Sequence, residues 1–271
     1  MIDNKLQHKL RQKFNPDDSE LRRLQLCSLE ILKEVHKFCE KHDIKYYLSS
    51  GTLLGAVRHG GFIPWDDDVD IEMGWWDYLK FLKYAKKEFN GNLKLQTHST
   101  DNNYFAVFAK IRNENTYIEE HSLHDKHFKF KGVFIDILYT ERVMRIFTLI
   151  SRKMQKWNIS LSRKKPYKLF KPLCTIMYYF NNYIFNNILR ILNIPFLPFC
   201  SSRLALGHGF MKKRRRNEIF PLSKIKFEGY EFNCPKDYDA YLKRLYGDYN
   251  ILPDFNNLSI HMIKTIIPEH Y

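Results

Sequence analysis

The chain has 271 residues, of which 44% are hydrophobic and 15% aromatic, and its formal net charge is +14. A chain of this length and composition can fill one large core or two small ones, which excludes an intrinsically disordered protein. The five cysteines are widely spaced and form no CxxC pair, so we expect neither a disulfide framework nor a zinc site, and a reducing compartment fits best.

The basic charge is concentrated in one segment. Residues 142–217 contain 17 Lys or Arg and no Asp or Glu, which leaves the rest of the chain with a net charge of −3. This asymmetry indicates an anionic partner for the segment. The N-terminus is polar and basic and has no apolar stretch of the kind found in signal peptides, so we expect a cytoplasmic protein.

The predicted elements of residues 1–141 alternate between helices and strands. Apolar residues at three- and four-residue intervals predict a first helix over 19–42. A strand over 46–48, a helix over 52–58, a strand over 69–73 and a helix over 75–88 follow. β-branched and aromatic residues then predict strands over 93–97, 104–111, 116–119 and 133–139. This order predicts an α+β domain built on a mixed sheet flanked by helices.

Residues 142–217 are predicted to form a basic, mostly helical insertion, and residues 218–271 to pack back on the first domain. The stretch 172–189 has no charged residue, but it contains Asn181, Asn182, Asn186 and Asn187. Because a spanning helix needs about 20 mostly apolar residues, we favour a helix on a membrane surface or in the core over one that crosses a membrane.

The stretch FIPWDDDVDIEM, residues 62–73, places several carboxylates in and before a strand. Side chains alternate along a strand, so Asp68, Asp70 and Glu72 share one face while Val69 and Ile71 point into the core. A divalent cation, Mg²⁺ or Mn²⁺, would relieve the repulsion between these carboxylates. A solvated acidic loop is the alternative; a calcium loop is rejected because its sixth position would be Ile71 rather than Gly.

A further carboxylate lies in GVFIDIL, where Asp136 is surrounded by apolar residues. Burial of a lone carboxylate is costly, so Asp136 must face a cation, a hydrogen-bond donor or solvent. An edge position that faces solvent is one interpretation. We prefer a third metal ligand beside Asp68 and Asp70.

The turn SSGTLLGAVRHGG, residues 49–61, has the features that a metal-bound phosphate requires. Gly51 allows close approach of the backbone, Thr52 offers a hydroxyl and an N–H, and the following helix presents its positive end. Arg58 and His59 would contact phosphate oxygens. The alternative is that Gly51 and Gly55 only allow close helix packing; the turn is not a P-loop.

These motifs together resemble the nucleotidyltransferase superfold and, more closely, the LicD family of phosphotransferases. The resemblance rests on SSGTLLGAVRHGGFIPWDDDVDIEM, on AKIRN at 109–113 and GVFIDIL, and on IFP at 219–221, YDAYLKRLYGDY at 238–249 and Pro253. It covers about residues 1–140 and 218–255 and leaves the basic segment outside. It implies a nucleotidyltransferase-like sheet in which Asp68, Asp70 and Asp136 are catalytic metal ligands.

The resemblance also implies an activity, namely transfer of phosphocholine or a related phospho-alcohol from a CDP-linked donor. The acceptor would be a hydroxyl of a cell-surface glycan, such as lipopolysaccharide or teichoic acid, which can be lipid-linked, and CMP would leave. The alternative is a nucleotidyltransferase that releases pyrophosphate. The predicted substrate-binding residues are Gly51, Thr52, Gly55, Arg58, His59, Trp65, Asp66 and Lys110.

Two further roles remain open in the sequence. The attacking hydroxyl would give its proton to Asp136 or, as alternatives, to Asp66 or Glu72. A choline headgroup requires an aromatic cage, for which Trp65, Trp75, Trp76, Tyr46 and Tyr47 are candidates, although each is also a natural core residue.

The basic segment offers two kinds of anionic partner. No RRM, KH or zinc pattern accompanies the charge, so we expect no nucleic-acid partner. The segment, and KKRRR at 212–216 above all, would instead hold the enzyme peripherally on the anionic cytoplasmic face of the cell membrane. A solvated run of charges is the alternative for KKRRR.

Overall fold

The structure is a computed structural model that describes residues 2–120, 125–255 and 262–268 and, for residues 120 and 262–264, the backbone alone. The α-helices are Asn4–Phe14 (α1), Glu20–Lys41 (α2), Ser50–His59 (α3), Trp75–Glu88 (α4), Arg145–Ser162 (α5), Tyr167–Tyr179 (α6), Asn186–Asn193 (α7), Arg216–Ile219 (α8) and Tyr238–Tyr246 (α9). A π-helical turn, Phe180–Phe185, joins α6 to α7, and 3₁₀ turns span Asp125–His127 and Ile194–Phe199.

The strands form one main sheet and two small ones. They are Tyr46–Leu48 (β1), Asp70–Gly74 (β2), Leu93–Gln96 (β3), Ala109–Asn113 (β4), Tyr117–Glu120 (β5), Val133–Arg142 (β6), Ser202–Leu204 (β7), Ser223–Phe227 (β8), Tyr230–Cys234 (β9) and Met262–Ile266 (β10). The main sheet has the order β1-β2-β6-β4-β3, with β7 paired to the end of β6. β2 and β6 are parallel and the other pairs are antiparallel, which confirms the expected mixed sheet with flanking helices.

The first domain follows the sequence pattern closely. The predicted helix over 19–42 is α2, which begins after Ser19; the Ser19 hydroxyl accepts a hydrogen bond from the Arg22 N–H at 3.1 Å. The apolar stripe of α2 is buried in the main core. α3 ends at Gly60, whose φ of 71° lies in the left-handed region that glycine adopts without strain.

The predicted strand over 104–111 is wrong in its first half, because pairing begins only at Ala109. The aromatic residues before it contact the basic segment instead of another strand. Phe105 is fully buried against Leu161, Cys174 and Tyr178, and its carbonyl accepts a hydrogen bond from the Gln155 amide at 2.6 Å. Tertiary packing has therefore replaced strand pairing in a segment with strand-like composition.

The C-terminal segment packs on the first domain. Phe227, Phe232, Tyr241 and Leu245 belong to the same hydrophobic core as α2 and the main sheet. β8 and β9 form a hairpin, and β10 pairs with β5 away from the main sheet. α1, β7, α8 and the individual helix and strands of the C-terminal segment had no counterpart among the predicted elements.

The basic segment is largely helical, as expected, from α5 to the 3₁₀ turn at Ile194–Phe199. The uncharged stretch 172–189 is divided among α6, the π-helical turn and α7. Within the part of the chain that the structure describes, no helix combines the length and apolarity needed to cross a bilayer.

Candidate active site

A cleft of about 690 Å³ lies where the beginning of α3 meets the edges of β2 and β6. Such a volume lies within the range of small-molecule binding sites. Four carboxylates line the cleft: Asp66, Asp68, Asp70 and Asp136. Asp136 therefore shares one cavity with the other three carboxylates, although it lies far from them in the sequence.

Strand register explains the convergence. Asp70 and Asp136 are direct neighbours on the parallel strands β2 and β6, so their side chains leave the same face of the sheet. Ile135 and Ile137, on either side of Asp136, point to the opposite face and are fully buried. The Asp136 N–H donates to the carbonyl of Val69 at 2.8 Å, which fixes the two strands at the level of the acids.

Lys110 extends this row on β4, where it is the register partner of Asp136. Its Nζ lies 3.0 Å from Asp136 Oδ1 and 3.1 Å from the centre of the Phe134 ring. Lys110 thus forms an ion pair with a cleft carboxylate, and its substrate contact stays a prediction. A protein cation supplies part of the positive charge that the acids require.

The remaining acidic charge is only partly compensated. The pKa of Asp70 is raised well above its ordinary value by burial and then by the charges of Asp68 and Asp136. Burial, followed by the charges of Asp68 and Asp67, raises the pKa of Asp66 in the same way. Hard carboxylate oxygens in one crowded cavity are a donor set that fits Mg²⁺ or Mn²⁺.

The side chains of the described residues do not form a finished metal site. Among residues 2–120, 125–255 and 262–268, no three His, Cys, Asp or Glu side chains are grouped closely enough to hold an ion. Binding at Asp68, Asp70 and Asp136 would thus require side-chain movements. The metal ligands remain a prediction.

The beginning of α3 forms the opposite side of the cleft through Ser50 and Gly51. The first N–H groups of a helix have no acceptor within the helix, so they can bind an anion there. A Cβ at Gly51 would lie 2.5 Å from Asp66 Oδ2, so this glycine is required for the close approach of Asp66. Ser50 has a φ of 48°, a conformation that costs energy in a residue other than glycine.

Other residues of the turn have structural contacts instead of the expected substrate contacts. Thr52 is buried, and its hydroxyl accepts the Asp70 N–H at 2.8 Å, so that oxygen braces β2. Gly55 packs against the Gly61 carbonyl, where a Cβ would collide, which agrees with the packing alternative.

Arg58 and His59 lie at the far end of α3, about 12 Å from its first turn along the helix axis. Arg58 is buried and donates to the carbonyl of Tyr249 at 2.8 Å, while His59 accepts from Arg58 Nε at 2.9 Å. Burial and then the Arg58 charge lower the pKa of His59 to about 3, so its ring is neutral. Neither residue lines the cleft, although the Arg58 guanidinium lies 6.0 Å from the ring of Trp65, which does; their contact with donor phosphates stays a prediction.

Glu72 lies on β2 but outside the cleft, in a closed ion pair. It is fully buried, as is Arg214, whose guanidinium binds both of its carboxylate oxygens. The hydroxyls of Tyr47 (3.0 Å), Ser49 (2.5 Å) and Tyr241 (3.2 Å) also donate to it. Burial by itself raises the pKa of Glu72, but the charge and hydrogen bonds of Arg214 bring it below its ordinary value.

This ion pair corrects two expectations. Glu72 has no acceptor capacity left for a substrate proton, so it is unsuitable as the alternative base. The run KKRRR at 212–216 is not uniformly a membrane-binding or solvated cluster, because Arg214 at its centre is buried in the core. The other four cations of the run are exposed.

The aromatic cage candidates are mostly distant from the cleft. Tyr46 and Tyr47 are core residues, Trp75 packs against Tyr139 and Arg190, and Trp76 is exposed on α4. Trp65 alone among them lines the cleft.

Sequence reasoning missed three rings that line the cleft: His208, Phe210 and Tyr246. Tyr246 lies in the tail motif YDAYLKRLYGDY, which gave a usable signal; His208 and Phe210 lie in the basic segment, where nothing pointed to them. Gln25 of α2 was also missed: its buried amide donates to the Asp66 carbonyl at 2.9 Å and so positions the acidic loop.

Comparison with known proteins agrees with this arrangement. A family profile described as "LicD/FKTN/FKRP, nucleotidyltransferase domain" matches residues 43–183. The lipopolysaccharide cholinephosphotransferase LicD of Haemophilus influenzae is 29% identical over 260 residues, which cover 90% of this chain and 96% of that protein. Ribitol 5-phosphate transferase FKRP of Homo sapiens is 45% identical over 49 residues, 17% of this chain and 10% of that protein.

The match also corrects the expected extent of the resemblance. It continues through residues 142–183, so the first part of the basic segment lies inside the family region and not outside it. Because the profile spans more than half of the 271 residues, the chain belongs to the LicD family.

Proposed function

We propose that this protein transfers a phospho-alcohol, phosphocholine in the first instance, from a CDP-linked donor to a hydroxyl of a cell-surface glycan and releases CMP. The observation that carries the proposal is the convergence of Asp68, Asp70 and Asp136 in one cleft at the positive end of α3. The similarity over 90% of the chain to a lipopolysaccharide cholinephosphotransferase supports the same activity.

The residues of the cleft suit this reaction. Asp68, Asp70 and Asp136 would hold a divalent cation, which when bound would neutralise charge on the donor pyrophosphate. Ser50 and Gly51 present backbone N–H groups to the same phosphates from the beginning of α3. The attacking hydroxyl has two proton acceptors in the cleft, Asp136 and Asp66.

A cationic headgroup agrees with the lining of the cleft. Trp65, Phe210 and Tyr246 present aromatic rings next to the acids, and both features attract a quaternary ammonium. A neutral alcohol such as ribitol would gain no charge interaction there. This combination supports choline as the donor alcohol, and the similar lipopolysaccharide cholinephosphotransferase of Haemophilus influenzae supports lipopolysaccharide as the acceptor.

The test is incubation of the purified protein with CDP-choline, Mg²⁺ and cell-envelope glycan extracts, followed by assays of CMP and pyrophosphate. CMP release from CDP-choline that depends on the extract supports the proposal, whereas pyrophosphate release in a parallel incubation with CTP in place of CDP-choline indicates a nucleotidyltransferase. Asp70→Asn should abolish transfer without unfolding the protein, and retention of more than about a tenth of the activity would exclude the role of Asp70. Asp17→Asn is the matched control, because its side chain is 96% exposed outside the cleft.

A further inference from the structure

The basic segment has an unusual outer surface. We call the solvent-facing side of residues 167–199 the outer face; it includes Leu169, Ile176, Tyr183, Ile184, Ile191 and Phe199. These side chains are 53–85% exposed. Contiguous apolar exposure of this kind marks an interaction surface in soluble proteins.

The inner side of the same helices combines buried amides with apolar residues such as Cys174 and Leu189, which inverts in part the usual pattern of a surface helix. Asn181, Asn186 and Asn193 are buried, although they belong to the helices that expose isoleucine. Asn193 accepts from the Met144 N–H and donates to the Arg142 carbonyl, both at 3.0 Å. A polar seam therefore holds the segment to the protein.

α5 shows the same inversion. Its buried positions include Ser151 and Gln155, and the Ser151 hydroxyl donates to Asn186 Oδ1 at 2.6 Å. Trp157, on the same helix, is 63% exposed. α5 and α7 thus bury amides and expose large apolar groups, and an apolar medium over those groups would remove them from water.

The charge of the segment distinguishes between the partners that could cover its outer face. The 17 Lys and Arg of residues 142–217 include the exposed Lys153, Lys156, Lys164 and Lys168 and have no acidic counterpart in the segment. A second copy of the chain packed symmetrically on this surface would bring like charges together. An anionic lipid surface instead meets apolar groups and cations at the same time.

We propose that the outer face lies in the interface of an anionic phospholipid bilayer, with apolar side chains among the acyl chains and lysines among the headgroups. Tyrosine, tryptophan and phenylalanine on the outer face and α5 suit this depth. The segment also contributes Leu204, His208 and Phe210 to the cleft. These cleft residues follow the outer face in the chain, so membrane contact would place the cleft beside the bilayer.

The test is co-sedimentation with vesicles of phosphatidylcholine mixed with phosphatidylglycerol, compared with vesicles of phosphatidylcholine alone. No donor or acceptor is present, so the result does not depend on the proposed reaction. Ile176→Ser/Ile191→Ser should lower partitioning onto the anionic vesicles at least about tenfold. The matched control is Ile251→Ser/Ile266→Ser, whose side chains are 70% and 59% exposed outside the segment.

Lys153→Gln/Lys156→Gln should weaken the binding and make it less dependent on salt. Equal binding of the outer-face variant and wild type would overturn the proposal, as would equal binding to both kinds of vesicle. Light scattering of the same proteins measures their oligomeric state and tests whether a second copy of the chain covers the outer face. If the outer-face variant turns a dimer into a monomer and leaves vesicle binding unchanged, a second copy covers the face and the proposal is wrong.

Discussion

The buried pair of Glu72 and Arg214 makes the sharpest prediction about stability. Arg214→Met removes the guanidinium but keeps an unbranched apolar chain in its place, while Glu72 stays buried with three hydroxyl donors. Loss of one partner from a fully buried ion pair typically costs about 3–5 kcal/mol of unfolding free energy. For a chain of this size, that corresponds to a fall in Tm of roughly 6–20 °C.

Urea unfolding of wild type, Arg214→Met, Glu72→Gln and the double variant measures the coupling between the two side chains. We expect the double variant to be more stable than Arg214→Met, because the amide of Gln carries no uncompensated charge. The interpretation of Glu72 and Arg214 as a coupled buried ion pair would be refuted by either of two results. One is a cost below about 1 kcal/mol for Arg214→Met, and the other is a double variant whose destabilisation equals the sum of the two single variants within about 0.5 kcal/mol.

The pH dependence provides an independent check. Because the folded-state pKa of Glu72 is lowered, its ionised form stabilises the fold fully above the unfolded value of about 4.3, and this contribution is lost as pH falls through the folded pKa. Arg214→Met has already lost the contribution. The difference in stability between wild type and variant should therefore narrow below about pH 4.3.

The remaining predictions concern the cleft. Gly51→Ala should push the Asp66 carboxylate away from α3 and lower transfer at least about tenfold, while thermal melting shows a loss of less than about 1 kcal/mol. Lys110→Met removes the cation at Asp136, so Mg²⁺ should raise Tm more in this variant than in wild type; a smaller shift would contradict the shared counter-charge. Asp70→Asn should be more stable than wild type at pH 8 without metal, because the raised folded pKa of Asp70 makes wild type lose stability as pH rises from the unfolded value of about 3.9 through the folded pKa; unchanged or lower stability in urea would argue against the crowding.

The first domain was predictable because its signals are local. The stripe of α2, the glycine after α3 and the alternation around Asp70 each specify an element without reference to distant residues. The sequence favoured the convergence of Asp70 and Asp136 without requiring it, because a solvent-facing edge position for Asp136 was also open; the parallel register of β2 and β6 places the two acids on one face.

The failures have tertiary causes. No local signal distinguishes Glu72 from Asp70, yet one meets Arg214 and the other the cleft. Residues 104–108 have strand composition but pack on a helical segment that comes much later in the chain. Arg58, near a phosphate-like turn in sequence, is carried to the other end of α3 by the rise of the helix.

The central strand β6 has a consequence for any attempt to divide the protein into modules. Its first half carries Asp136, and its last residues, 140–142, pair with β7 from the basic segment. Excision of residues 142–217 would therefore expose the end of β6 and leave the buried Glu72 carboxylate without Arg214. It would also open one side of the cleft. A minimal catalytic fragment must retain this segment, and fusion or truncation boundaries belong at the chain ends and not at the composition break.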